Sequence, residues 1–403
     1  MGNTLLVEGE TSRTRPMVAL FGGVALTNTA MVGAATAGTL IAGETAAPWL
    51  SGAPNAANVL GTAIGTIWLA LHMARRGRRS GLVLGYGIGV GGAVVAVSAV
   101  QAGSLLWLIA GMVLMGIGNG GAQLSRYAAA DLYPPERKSF ALGVVVWSGT
   151  IGAFAGPALI SVTAHTAGGL GLERMTGPFL LVLLTSVLAG GITALLVGAH
   201  RPATTAVAEA PPVRTLLRLP VTLVALTAMI ASQVAMVAVM TMTPLEMHQH
   251  GHGLGEVGAI LTVHLVGMFA FAPVSGRLAD RFGGARVALA GLVTLVVAAV
   301  SAFLAPDVAG FVSYTALFLL GYGWNLAFVG SSSLLSSGMP EAARTRLQGV
   351  VDALAWTASG LASIGAGVLM AGGGYATLAV VTAIGLVVTV VVVATMVRRA
   401  ALR

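Results

Sequence analysis

No cysteine occurs in the 403 residues, so disulfides and thiolate metal sites are excluded. Charge is nearly as scarce. Asp, Glu, Lys and Arg together make up 8% of the chain, against about 25% in a soluble domain. A chain this long with so few charges cannot build a water-facing surface. Acid is the rarer sign, with 13 Asp and Glu against 21 Lys and Arg, and every acid but Asp352 falls in a predicted loop or tail or, as Glu256, at the very edge of a span. No arginine or acid lies at mid-depth in the first, fourth, seventh or tenth predicted helix. That argues against a strongly charged organic cargo and against a carboxylate proton relay. No nucleophile, base and oxyanion set stands on the water-exposed loops, so no enzyme is expected.

What is abundant is apolar sequence, 56% of the chain. It falls in runs of roughly 18–25 residues, the length that crosses a hydrocarbon core of about 30 Å. The predicted spans are 17–41, 54–74, 82–100, 104–125, 140–163, 177–198, 221–243, 256–276, 286–304, 310–331, 350–371 and 375–397. Glycine, 56 residues, serves in such helices to let neighbouring backbones approach. A polar stretch from Met1 to Arg15 precedes the first span, so no cleavable signal peptide is expected.

Twelve spans put both termini on one side. If that side is cytoplasmic, 20 of the 21 basic residues lie in cytoplasmic segments and only Arg174 lies outside. The positive-inside rule therefore predicts a multi-pass protein of the inner membrane with cytoplasmic termini. The net charge of +8 is dispersed over seven segments. It reads as a topology signal rather than a footprint for nucleic acid.

The chain repeats itself at an offset near 205. Met115 to Asn119 lies over Leu320 to Trp324, Pro135-Glu136 over Pro340-Glu341, and Gly143 over Gly349 after a one-residue slip. The expected division is a six-helix bundle over 1–199, a Pro/Ala-rich cytoplasmic linker over 200–220 and a second six-helix bundle over 221–403. Two such halves imply alternating access with a substrate site near the midplane.

These features resemble the major facilitator superfamily over essentially the whole chain. Gly276-Arg277-Leu278-Ala279-Asp280-Arg281-Phe282-Gly283 is similar to the superfamily's cytoplasmic loop signature, in which Asp280 and Arg281 are possible gating residues. Asp280 can pair with arginines or cap a helix. The first-half counterpart, His72 to Gly77, lacks the acid. Gly152 to Pro157 resembles an exporter-associated GxxxGP, with helix packing as the simpler reading. The resemblance implies an all-α integral membrane fold, twelve helices in two pseudo-symmetric bundles.

Ionisable groups within spans are functional candidates. Asp352 can carry a coupling proton or pair with Arg344 or Arg346. His264 lies within the eighth span, four residues before Met268. Met236 and Met240 have the same spacing on the seventh, with Gln233 on the same stripe. Residues i and i+4 share one face. At 1.5 Å per residue, Met236 and His264 both lie within about 6 Å of the midplane. Thioether and imidazole together suit a soft cation such as Cu(I), and bind Mg²⁺ or Ca²⁺ poorly. The following tract, Glu246-Met247-His248-Gln249-His250-Gly251-His252, carries Met247, His248, His250 and His252 as a possible metal-capture loop.

These residues resemble the bacterial major facilitators that import copper for cytochrome c oxidase assembly (the CcoA type). Those carry MxxxM on helix seven and HxxxM on helix eight, matched here by Met236, Met240, His264 and Met268. The resemblance implies copper as transported substrate, the lipid bilayer as setting, no prosthetic group, and a cytoplasmic copper acceptor of unknown identity. The competing reading is an organic-solute facilitator, either a drug exporter or a riboflavin-type vitamin importer. It rests on the GxxxGP segment and on Asn28, Asn119, Trp324 and Asn325. A copper sensor without transport needs only the His-rich tract.

Overall fold

The computed structural model describes residues 2–45, 52–198, 211–251, 254–304, 310–337 and 341–401, and is helical almost throughout. In chain order the long helices are α1 (Gly2–Thr45), α2 (Ala53–Arg76), α3 (Arg78–Gln101), α4 (Leu105–Asp131), α5a (Lys138–Trp147), α5b (Gly149–Gly169) and α6 (Gly177–Leu196). After the single turn Val213–Leu216 come α7 (Pro220–Gln249), α8a (Leu254–Phe269), α8b (Ala272–Phe282), α9 (Gly284–Leu304) and α10 (Phe311–Leu334). The last helical stretch, Glu341–Ala401, has its backbone turned at Gly374, with φ 71° and ψ −175°. We call the part before Gly374 α11 and the part after it α12.

Among the described residues, eleven helical segments are long and apolar enough to cross a membrane. The last runs 59 residues, Glu341–Arg399, about 88 Å at 1.5 Å per residue. That is far more than one hydrocarbon core, and Gly374 divides it, so twelve crossings result. Large apolar side chains point outward along these helices. On α2 they are Leu60, Ile64, Ile67 and Trp68; on α12 they include Ile384, Val388 and Val391. Such faces require a hydrocarbon solvent.

The helices form two compact units that differ from the sequence halves. One consists of Met1–Tyr133, Ser148–Pro211 and Met339–Ala353; the other of Pro134–Trp147, Pro212–Gly338 and Leu354–Arg403. The start of α11 thus packs with α2, α3 and α4, and α5a packs with α8b and α10. Most of the linker expected over 200–220, namely 200–210, lies outside the described residues.

Both units are built by the same close approaches. On α2, a Cβ at Gly61 would collide with the carbonyl of Val113 on α4; on α8a, one at Gly267 would collide with the carbonyl of Phe318 on α10. Gly116 on α4 faces the Asn58 carbonyl, and Gly321 on α10 faces the His264 carbonyl. Backbone contact this tight admits only glycine. The turns repeat as well. Gly77 ends α2 with φ 88° and Gly283 ends α8b with φ 86°, each donating its N–H back into the helix. The first-half loop keeps this left-handed turn although its acid is missing.

Candidate functional site

The second unit contains a sulfur-rich cluster. Met236 of α7, Met268 of α8a and Trp324 of α10 are buried together, with Met240, Phe269 and Phe328 packed against them. Trp324 stacks on Phe328 at 4.6 Å between centroids and meets the edge of Phe269 at 6.1 Å. Its indole N–H donates to Oε1 of Gln233 at 2.6 Å, which ties α10 to α7 one turn from Met236. The 3.6-residue period puts Gln233, Met236 and Met240 on one stripe of α7, and this stripe is turned toward α10.

His264 is fully buried. Its Nδ1 lies 3.0 Å from the Leu317 carbonyl of α10. A carbonyl only accepts, so Nδ1 carries the hydrogen, and the neutral ring bears its lone pair on Nε2. Nε2 is buried and has no hydrogen-bond partner. One turn on, the Met268 carbonyl accepts from Asn325 Nδ2 at 2.6 Å, so α8a and α10 are joined at two successive levels. The spacing of Met236, Met240, Met268 and His264 was legible in sequence. Trp324 was read only as a residue for an organic solute; its packing on the thioethers, and the part of Phe328, were not legible, because aromatic residues on an apolar helix carry no signal of their partner.

The first unit has a counterpart to the His264 bond. Asn58 Nδ2 of α2 donates to the Met112 carbonyl of α4 at 3.3 Å. Residue 58 corresponds to 264 and residue 112 to 317, offsets of 206 and 205 in the repeat. The bond to the neighbouring helix is therefore a property of the position in both halves. What histidine adds there is the second ring nitrogen.

The His-rich tract is not a loop over most of its length. Helix α7 continues to Gln249, six residues beyond the predicted end of its span at 243. Met247 lies one turn after Thr243 and is fully buried in the core of its unit with Val239 and Ile260. This corrects its placement in a water-facing capture tract: the helix period turns it inward. His250 is exposed and packs back on its own helix, with Nδ1 2.9 Å from the Glu246 carbonyl and 3.6 Å from its carboxylate. His252 and the side chain of His248 lie outside the described residues. Among the described residues, no group of three or more His, Asp or Glu side chains is placed to hold a metal ion.

Asp352 pairs with neither Arg344 nor Arg346. Its Oδ1 accepts from Arg126 of α4 at 2.6 Å and from the Tyr127 hydroxyl at 3.1 Å. The helix period explains the correction, since Arg344 and Asp352 stand two turns apart on one stripe and reach different levels of α4. Arg344 instead donates to Asp131 at 2.7 Å, and Arg78 joins the same carboxylate at 2.9 Å.

Asp280 caps a helix. Its two oxygens accept from the backbone N–H groups of Ser139 and Phe140 at 2.9 and 2.8 Å, at the start of α5a. Arg277 lies over the Phe140 ring at 4.4 Å, whereas Arg281 lies over Phe282 at 5.1 Å and so does not share the cap. Gly152 and Gly156 of the GxxxGP segment press against Asn28, Thr29 and Val32 of α1, which is helix packing.

Two six-helix repeats, a glycine-packed membrane core and an acid-capped turn define a multi-pass membrane carrier. The chain belongs to the Major Facilitator Superfamily, whose family model matches residues 17–363 and 247–402. It is 31% identical over 378 residues to YdeG of Bacillus subtilis, an uncharacterized MFS-type transporter, covering 90% of this chain and 86% of that one. It is 30% identical over 321 residues to the riboflavin transporter RfnT of Brucella anthropi, covering 79% of each. Among solved structures, the transporter FucP in the outward conformation matches with TM-score 0.76 at 15% identity, over 96% of this chain and 99% of that one. A bacterial homologue of the iron transporter ferroportin matches with TM-score 0.72 at 14% identity, over 95% and 99%. These structures share the fold. The family model and the relatives of 30–31% identity establish the superfamily, while the copper-importing branch within it rests on the motif residues alone.

Proposed function

We propose that this carrier moves copper across the bacterial inner membrane, bound as Cu(I) by Met236, Met240, His264 and Met268. The observation that carries the reading is the orphaned Nε2 of His264, one turn along α8a from the thioether of Met268, which is buried with that of Met236 and packed against the half-buried Met240. A metal-ligating histidine commonly donates its other ring N–H to a backbone carbonyl, which fixes ring and tautomer. The Leu317 carbonyl plays that part. Uncharged thioethers favour Cu(I) and release it readily enough for transport. Supply of a cytochrome oxidase follows the motif resemblance and is part of the proposal, as is capture of copper by His248, His250 and His252. Uptake of radioactive copper into proteoliposomes tests the reading. Met236→Leu and Met268→Leu are expected to abolish it, and full uptake by both variants would rule the site out.

A second reading is an uncharged, flat organic solute. It is favoured by the aromatic group of Trp324, Phe328 and Phe269 beside the Gln233 amide, and by the similarity to a riboflavin transporter. Uptake of radiolabelled riboflavin in the same vesicles separates the two. Saturable riboflavin uptake that copper neither inhibits nor requires would favour the solute.

A further inference from the structure

Met268 stands at the end of a broken helix. α8a stops at Phe269 and α8b starts at Ala272, with Pro273 in its first turn. Proline has no N–H to offer the Phe269 carbonyl four residues back, and its ring clashes with that carbonyl. The last four carbonyls of a helix have no partner within it. In α8a that set includes the Met268 carbonyl, at a depth where no water replaces the missing partner.

The side chain of Asn325 spans the break. Its Nδ2 donates to the Met268 carbonyl at 2.6 Å, and its Oδ1 accepts from Ser275 Oγ of α8b at 2.5 Å. A carbonyl only accepts, so the amide must turn Nδ2 to Met268 and Oδ1 to the hydroxyl. Ser275 Oγ also lies 3.3 Å from the Phe271 carbonyl within the break. Asn325 and Ser275 are both fully buried. One amide of α10 therefore ties the end of α8a to the start of α8b. Phe271 meets Phe318 and Tyr322 of α10 edge-on, at 5.9 and 5.6 Å between centroids. Those rings anchor residue 271, whereas the amide anchors residue 268.

The first unit shows the same position without a candidate ligand. Stepping by 206, His264, Met268 and Pro273 correspond to Asn58, Thr62 and Ile67 of α2; stepping by 205, Asn325 corresponds to Gly120 of α4. Helix α2 is unbroken from Ala53 to Arg76. Gly120 packs directly on the Thr62 carbonyl, where a Cβ would collide. A continuous helix needs no side chain at this point. Break, amide clamp, imidazole and thioether thus occur together in the second unit, and none of them stands at the corresponding positions of the first.

We propose that Asn325 is a positioning residue for Met268: by clamping the break it fixes the backbone from which the thioether joins His264 in holding Cu(I). The inference deepens the copper reading and rests on it. Asn325 touches no copper and acts through Met268. Loss of the clamp frees the end of α8a, and the site loses one sulfur while Met236, Met240 and His264 remain.

The test is Cu(I) affinity of the full chain in detergent, measured without oxygen by competition with a chromogenic Cu(I) chelator. Asn325→Leu, similar in size but without hydrogen bonds, should weaken binding by at least about tenfold. Ser275→Ala leaves the Met268 bond in place and should weaken binding severalfold, which guards against an Asn325 variant that fails to fold. Residues that act through one another are not additive. Asn325→Leu should therefore add less than about a twofold effect in a Met268→Leu background, and keep its full effect in a Met236→Leu background. X-ray absorption at the copper edge should show one sulfur fewer around the metal in Asn325→Leu than in wild type. Wild-type protein without measurable Cu(I) affinity would overturn the copper reading and this inference with it. Wild-type affinity in Asn325→Leu, or equal weakening in the Met268→Leu and Met236→Leu backgrounds, would overturn the inference alone.

Discussion

His264 does for α8a what Asn58 does for α2: each donates a side-chain N–H to a backbone carbonyl of the helix beside it, Leu317 and Met112 respectively. The pair separates two roles that one histidine combines, a tie between helices and a free ring nitrogen. His264→Leu removes both, and loss of the interhelical hydrogen bond to the Leu317 carbonyl costs about 0.5–1.5 kcal/mol. His264→Asn restores the tie alone. Thermal unfolding in detergent is expected to show a clear loss for the leucine variant and near wild-type stability for asparagine.

The glycine contacts give a second expectation. Gly116→Ala and Gly321→Ala each drive a methyl group into a backbone carbonyl of the adjacent helix, Asn58 and His264 respectively. Helices forced apart lose packing on both sides, so each variant should cost about 1–3 kcal/mol. Gly22→Ala, which meets open space, is the control and should change little. Yield of monodisperse protein and its melting temperature report the difference.

Asp280 contributes through charge at a helix start as well as through two hydrogen bonds. Asp280→Ala should destabilise the α5a contact by about 0.5–2 kcal/mol, and Asp280→Asn by less, since one acceptor is kept. Exchange of the Ser139 and Phe140 amide hydrogens should speed up in the same order. Equal exchange in wild type and Asp280→Ala would show that the cap does not hold the helix start.

Trp324 offers an optical reporter, because its ring is buried with Met236 and Met268. Silver(I), a redox-stable stand-in for Cu(I), should quench part of the tryptophan fluorescence saturably. Trp324→Phe should remove the quenched component, and Met236→Leu with Met268→Leu should weaken quenching by at least about tenfold in concentration. Quenching that persists unchanged in the double variant would place the ion elsewhere.

Much of the fold was legible because hydrocarbon thickness fixes span length; the compact units do not follow the halves that the repeat suggests. Gly374 was bridged by continuous helix, and the division there follows from one backbone turn rather than from a polar loop. The interruption at Ser148, which leaves α5a in one compact unit and α5b in the other, has no apolar gap to betray it. Hydropathy cannot find it. At the candidate site the i, i+4 spacing identified the sulfur stripe. It did not show that α7 runs on to Gln249 and buries Met247, since the polar residues 246, 248 and 249 mimic a loop. The partner of Asp352 was missed for a different reason. Proximity in sequence favoured Arg344 and Arg346, whereas the pairing is made by a contact between α4 and α11, 226 residues apart.

Copper uptake by His264→Asn is the most direct measurement, because this variant keeps the interhelical tie and removes only the ring nitrogen. Proteoliposomes with wild-type protein should accumulate radioactive copper above empty vesicles. Those with His264→Asn, equally stable and equally abundant, should fall at least about tenfold. Equal uptake by the two proteins, or none by wild type above empty vesicles, would contradict the assignment of copper to this site.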